Sequence, residues 1–156
     1  MNLKQIFKRP LKAPNSLVIV ALIVALLGFA DAAYLTLEHY QNAIPPCSIG
    51  SCETVLTSVY STVLGIPVSL AGAMYYLVIL VALFAYLDTK KDFLLKLALI
   101  IPVIGFIATA WFVYLQLFVL HAICVYCMGS AITTTLLFIV SMIVFSKYRA
   151  ADTLAG

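Results

Sequence analysis

Four long, nearly charge-free apolar runs dominate the sequence, at about residues 17–37, 68–87, 93–120 and 122–145. Each is long enough to cross a bilayer as a helix, which takes about 20 residues. In lipid every backbone N–H and C=O must be bonded within the protein, so helices are the default. The runs are too long and too continuously apolar for barrel strands. Composition agrees: 65% of the 156 residues are hydrophobic and 10% are charged, whereas soluble domains are roughly half apolar. The expected fold is an all-α integral-membrane bundle of four transmembrane helices, one domain over residues 1–156, with a short capping helix in the first outer loop.

The few charges fix an orientation. Lys4, Lys8, Arg9 and Lys12 precede the first run, Lys90, Lys91 and Lys96 mark the turn from second to third, and Lys147 and Arg149 follow the fourth. These are all nine Lys and Arg, and a four-span topology puts every one on the same side. The other side holds Glu38, Glu53, His39 and His121. The positive-inside bias therefore predicts cytoplasmic termini and an outward-facing loop over residues 38–66. No polar domain carries a basic stripe, which excludes a nucleic-acid partner and leaves membrane lipid as the surroundings. The basic lead, the first apolar run and Ala30-Asp31-Ala32 also have the shape of a cleavable signal peptide. Because the run continues through Ala33, Tyr34 and Leu35, and its removal would leave three spans with unlike ends, it is read as a retained helix.

Pro10 and Pro14 limit any helix in the lead, and Asn15 or Ser16 can cap the first span. Asp31 lies close to hydrocarbon, where a carboxylate is costly. It either snorkels to water at the outer interface or handles protons near a reactive site. In the outer loop, Ser51 is placed to cap a helix starting at Cys52 and carrying Val55, Leu56 and Val59 on one side, a stripe suited to covering the bundle mouth. Ser69 and Gly72 offer a small, closely packing start to the second span. Pro102 and Gly105 are a candidate kink in the third, with Gly105 and Thr109 a small-residue packing pair. Trp111, Phe112, Tyr114 and Gln116 gather at its outer end. An interfacial aromatic belt explains them, with Trp111 and Tyr114 weaker candidates for a cofactor pocket. Ser130, Thr133, Thr134 and Thr135 in the last span have hydroxyls able to bond back to their own helix.

The chemistry lies in four cysteines. Cys124 and Cys127 form a Cys-x-x-Cys at the head of the last span, three positions apart and within bonding reach. Cys47 and Cys52 sit in the outer loop. Outside the cytoplasm a thiol pair is by default a structural disulfide, and that reading stands for Cys47 and Cys52. A dithiol at a helix start instead lowers one thiol's pKa beside a resolving partner. Two pairs on one side of a membrane suggest a relay, the loop pair taking electrons from a soluble dithiol and the bundle pair delivering them to a lipid-soluble acceptor. No haem, flavin or nicotinamide signature is present, which leaves a quinone of the ubiquinone or menaquinone type. His39 and His121 are candidate proton carriers. Together with the cysteines they also admit a soft-metal site, although the spacing fits no compact metal motif. The alternative to an enzyme is therefore a non-enzymatic membrane protein with structural disulfides or a metal-handling role.

These features together resemble the vitamin K epoxide reductase family in its prokaryotic form. The likeness rests on Tyr34-Leu35-Thr36 with His39, Cys47 and Cys52, Ser58 six residues beyond Cys52, Gly65-Ile66-Pro67 with Ser69 and Gly72, and Cys124-x-x-Cys127. The resemblance implies a four-helix bundle around a quinone, open to the periplasmic or extracellular face of a prokaryotic cell membrane and capped by the loop helix. It implies that Cys47 and Cys52 shuttle electrons from a thioredoxin-like protein, that Cys52 exchanges with Cys124, and that Cys127 reacts with the quinone near Ser58. Many bacterial relatives add a fifth span and a fused thioredoxin-like domain; the absence of both here implies a separate partner. Animal relatives place a quinone-contacting tyrosine one turn beyond the second cysteine, where this chain has Ala131. Ordinary quinone reduction coupled to protein disulfide formation is therefore expected rather than epoxide reduction. A structurally unrelated class of quinone-linked disulfide oxidases carries its Cys-x-x-Cys first and its wider pair second, the reverse of the order here.

Overall fold

Long aliphatic stretches without a glycine or proline break in their first turns give four membrane-length helices in a computed structural model that describes residues 13–47 and 50–154. In chain order the elements are α1 (Asn15–Tyr40), α2 (Cys52–Leu56), strands β1 (Thr62–Val63) and β2 (Ile66–Pro67), α3 (Val68–Thr89), α4 (Asp92–Tyr114) and α5 (Val125–Leu154). A single π-helical turn, Leu115–Val119, extends α4. The lead through Lys12 lies outside the described residues.

α1 packs on α3 and α5, and α4 packs on the same two, so the four long helices close into a ring. One half of this ring is solid. Val18, Ala21 and Ala25 of α1, Ile79 and Leu83 of α3, Leu95 and Leu99 of α4, and Leu137 and Val144 of α5 form its core. Side chains pointing away from the ring, such as Ile23, Leu27, Val81 and Ile107, are exposed. In a protein with four helices apolar enough to span a membrane, such a surface is suited to hydrocarbon rather than water.

Tyr76 marks where the solid half ends. Its ring is buried, and its hydroxyl meets the hydroxyls of Thr133 (2.7 Å) and Thr134 (2.8 Å) and donates to the Ser130 carbonyl (3.0 Å). The α5 hydroxyls thus tie α3 to α5 as well as bonding to their own helix. Thr133 approaches the Gly129 carbonyl at 3.2 Å, and Thr135 donates to that of Ala131 at 2.7 Å.

Several boundaries differ from the sequence expectation. Pro14, not Asn15 or Ser16, occupies the position before α1, whose first turn has no side-chain cap. Ser51 precedes α2 without capping it through its side chain. α2 stops at Leu56, so Val59 falls beyond it and is exposed instead of extending the apolar stripe. α4 remains helical through Pro102, and the irregularity comes later, in the π turn. α5 begins at Val125 rather than near His121, because Cys124 is engaged in a β-bridge.

Candidate redox site

That bridge joins Cys124 to Gly50 in antiparallel fashion, and the Ser51 amide donates to the Ile123 carbonyl at 2.9 Å. Gly50 has φ +95°, and a β-carbon there would run into the Ile123 carbonyl oxygen, so a glycine is needed for this approach. Tyr126, between the two cysteines of the Cys-x-x-Cys, donates its hydroxyl to the Pro46 carbonyl at 3.1 Å. The loop is thereby fastened to the head of α5 just before Cys47 and again between its two cysteines. Cys47 and Cys52 are joined by a disulfide, with α-carbons 6.1 Å apart. Cys52 and Cys124, 1% and 0% exposed, pack in one small apolar cluster with Val55 and Ala122, against which Cys47 and Cys127 also rest.

Cys124 and Cys127 are free thiols. Cys124 immediately precedes α5, and its sulfur accepts the Cys127 amide at 3.5 Å. This is the geometry in which a serine or aspartate caps a helix, with sulfur in place of oxygen. A second restraint comes from the π turn, where the buried Gln116 accepts the Cys124 amide on its side-chain oxygen at 2.9 Å and the Ala122 amide on its backbone carbonyl at 3.0 Å. The extra residue of a π turn is what aims Gln116 inward, and such turns recur at functional sites.

The Cys127 side chain donates to the Cys124 sulfur, and the amides of Cys127 and Tyr126 add to the effect. Together these outweigh burial and the nearby Asp31, bringing the Cys124 thiol down from its ordinary 9.0 to about 7. A thiolate forms above its pKa, so a pH titration of thiolate ultraviolet absorbance, taken as a difference against Cys124→Ser, is expected to rise through about pH 7. In a Cys47→Ala/Cys52→Ala background, where Cys124 has no loop disulfide to attack, Cys127→Ala removes the leading donor and should move that midpoint upward. An unchanged midpoint would remove Cys127 as its cause.

The half of the ring nearer the cysteines is hollow and holds a partly open cavity of about 710 Å³. Of the residues singled out from the sequence, Cys127, Ser58, Ala131, Asp31 and His39 all line it, and so does Gln116. Ser58 donates its hydroxyl to the Val55 carbonyl at 2.7 Å and so closes the end of α2. Trp111, Tyr114 and His121 do not line this cavity. Trp111 and Tyr114 are exposed, with ring centroids 5.8 Å apart, and Tyr114 stacks on Phe118 at 5.1 Å, a ladder on the outside of the ring. Their neighbour Phe112 takes the inward position. His121 is exposed, with φ 47°. Gln116, Tyr126 and Tyr75 are the inward-facing or loop-fastening residues that sequence patterns did not single out as site residues. Among the described residues no group of three or more His, Cys, Asp or Glu is placed to hold a metal ion.

A ring of four membrane-length helices, solid in one half and hollow in the other, with a disulfide and a close dithiol packed over the hollow, defines a multi-pass membrane protein with a redox-competent cysteine centre. No curated protein matches the sequence. The model of the vitamin K epoxide reductase family matches residues 19–142, most of the chain, and the protein belongs to that family.

Proposed function

We propose that this protein is a membrane thiol–disulfide oxidoreductase that oxidises a thioredoxin-like partner and passes two electrons to a membrane quinone, in support of protein disulfide formation. The observation that carries this reading is the division of labour within the Cys-x-x-Cys: Cys124 packs against Cys52, while Cys127 lines the apolar cavity. A cavity of about 710 Å³ lies in the range of small-molecule sites, roughly 300–1,000 Å³. Its wall of helix side chains suits a quinone head group entering from the lipid.

The chain's residues act in sequence. A partner dithiol reduces the Cys47–Cys52 disulfide, forming the partner's disulfide and two loop thiols. Cys52 then attacks the Cys124–Cys127 disulfide at Cys124, Cys47 resolves the mixed disulfide, and the bundle pair is left as the dithiol. The bundle dithiol gives up two electrons and two protons as its disulfide reforms. The quinone, when bound, supplies the two-electron, two-proton acceptor and leaves as quinol. With Cys47 and Cys52 bridged and Cys124 and Cys127 free, the electrons stand on the bundle pair, ready for that last step.

The Lys and Arg distribution favours both termini in the cytoplasm and the cysteines on the opposite side. The resemblance to the prokaryotic form of the family favours a prokaryotic cell membrane, which makes that side periplasmic or extracellular. The test is quinol formation by purified protein supplied with a quinone and a reduced thioredoxin-like protein. One quinol per partner disulfide is expected; partner oxidation without quinol, or neither product, would overturn the reading.

A further inference from the structure

Among the described residues, two buried side-chain oxygen atoms lack a hydrogen-bond partner: Asp31 Oδ2 and the Tyr75 hydroxyl. Both residues line the same cavity, on neighbouring helices. Buried polar atoms are ordinarily satisfied, because one left unpaired has lost its water without gaining a partner. Two such atoms on residues that line one hollow point to a ligand that completes them.

Their placement is specific. α1 and α3 approach closely at Ala32 and Gly72, where a β-carbon on the glycine would lie 3.6 Å from that of Ala32. Asp31 adjoins this crossing on one helix, and Tyr75 follows it by one turn on the other. The Tyr75 ring lies in a notch at Gly105 of α4, where a β-carbon would fall 2.6 Å from the phenolic oxygen. On its other side it meets the Tyr76 ring edge to face at 4.8 Å. Thr134 is close enough to Tyr75 to interact, but its hydroxyl already engages Tyr76 at 2.8 Å. Ser58 and Ser61, also in the wall, donate to the carbonyls of Val55 (2.7 Å) and Ser58 (2.8 Å). Their protons are in use, whereas that of Tyr75 is not. Asp31 also lies within electrostatic reach of Cys127, so the carboxylate and the reactive sulfur share one end of the cavity.

We infer that Tyr75 and Asp31 hold the ring oxygens of the quinone: the Tyr75 hydroxyl donates to a ring carbonyl, and the Asp31 carboxylate accepts a ring hydroxyl once the quinone is reduced. This rests on the quinone reading above and adds to it the two polar contacts that orient the ring. The notch at Gly105 is the positioning device, because it seats the phenol in the cavity wall and leaves its oxygen without a protein partner.

The experiment uses the full chain with both cysteine pairs oxidised, so that it cannot reduce what it binds, together with a short-chain benzoquinone carrying isotopically labelled carbonyls. Equilibrium affinity and the infrared band of the bound carbonyl are read for wild type, Tyr75→Phe, Gly105→Ala and Asp31→Asn. Tyr75→Phe keeps the ring and its packing. It should weaken quinone binding about tenfold, as the loss of one hydrogen bond implies, and should move the carbonyl band toward its free position. Gly105→Ala should shift the band in the same direction by displacing the phenol. Asp31→Asn should weaken binding of the quinol more than of the quinone. If wild type binds but Tyr75→Phe leaves both affinity and band unchanged, this inference falls alone. If wild type binds no quinone, the quinone reading falls and takes this inference with it.

Discussion

Cys127→Ala is expected to stop quinone reduction, lowering turnover by at least about a thousandfold, the scale on which removal of a covalent reactant acts. Cys127 is the cysteine of the Cys-x-x-Cys that lines the cavity, while Cys124 is sealed at 0% exposure beneath the loop. No other free thiol is in place to substitute for it. The same variant should also accumulate a distinctive product. With Cys127 gone, the Cys124 thiolate still faces Cys52 in their shared cluster. It can attack the loop disulfide at Cys52, forming Cys52–Cys124 and releasing Cys47 as a thiolate. Cys127 is no longer present to resolve that bond from the bundle side, so only reversal by Cys47 can break it. Peptide mapping without reduction should therefore find Cys52 joined to Cys124 in Cys127→Ala. Full quinone reduction by the variant would remove Cys127 from its assigned role. Loss of activity without the Cys52–Cys124 bond would leave Cys127 reactive but separate the two pairs.

The bundle was legible because its determinants are periodic and local. Uncharged runs of membrane length and Lys and Arg confined to alternate ends leave few other folds, and the four long helices follow them closely. The Cys-x-x-Cys was legible for the same reason, since two cysteines three apart at a helix start must lie together. The inward or outward facing of single residues near the mouth was harder to read. Trp111, Phe112, Tyr114 and Gln116 fall within a few residues of one another, and the π turn beginning at Leu115 changes the facing of the residues within and beyond it. Gln116 turns inward to take the Cys124 amide, and Trp111 and Tyr114 stack outside. A one-residue insertion in helical register leaves no mark in composition. Nor does the start of α5, which is set by a bridge between residues 50 and 124. Tyr75 is silent in the sequence because its meaning comes from Gly105, thirty positions away, and in its own span it reads as one more lipid-compatible side chain.

Cys47→Ala separates the duties of the two pairs. Cys47 is partly exposed and Cys52 is 1% exposed, so a protein dithiol can reach the loop disulfide only at the Cys47 sulfur. Attack there joins the partner to Cys47 and expels Cys52 as the thiolate, on the side that faces Cys124. In the proposed relay the more exposed Cys47 thus receives and the buried Cys52 transmits. In Cys47→Ala a large partner finds no accessible sulfur, and Cys52 has lost both its bridge and its source of electrons. Partner-driven quinol formation should fall at least about a hundredfold. A small dithiol able to enter the loop–bundle cleft can still reduce the Cys124–Cys127 disulfide directly, so its rate should fall by less than about tenfold. Measuring both rates on one preparation makes their ratio independent of how much protein is folded. Equal losses with the two reductants would mean that the loop pair supports the bundle pair structurally rather than feeding it. Selective loss with the protein partner requires electrons to enter through the loop, and then the fastening of Gly50 and Ser51 to Ile123 and Cys124 is what keeps the transmitting sulfur beside its acceptor.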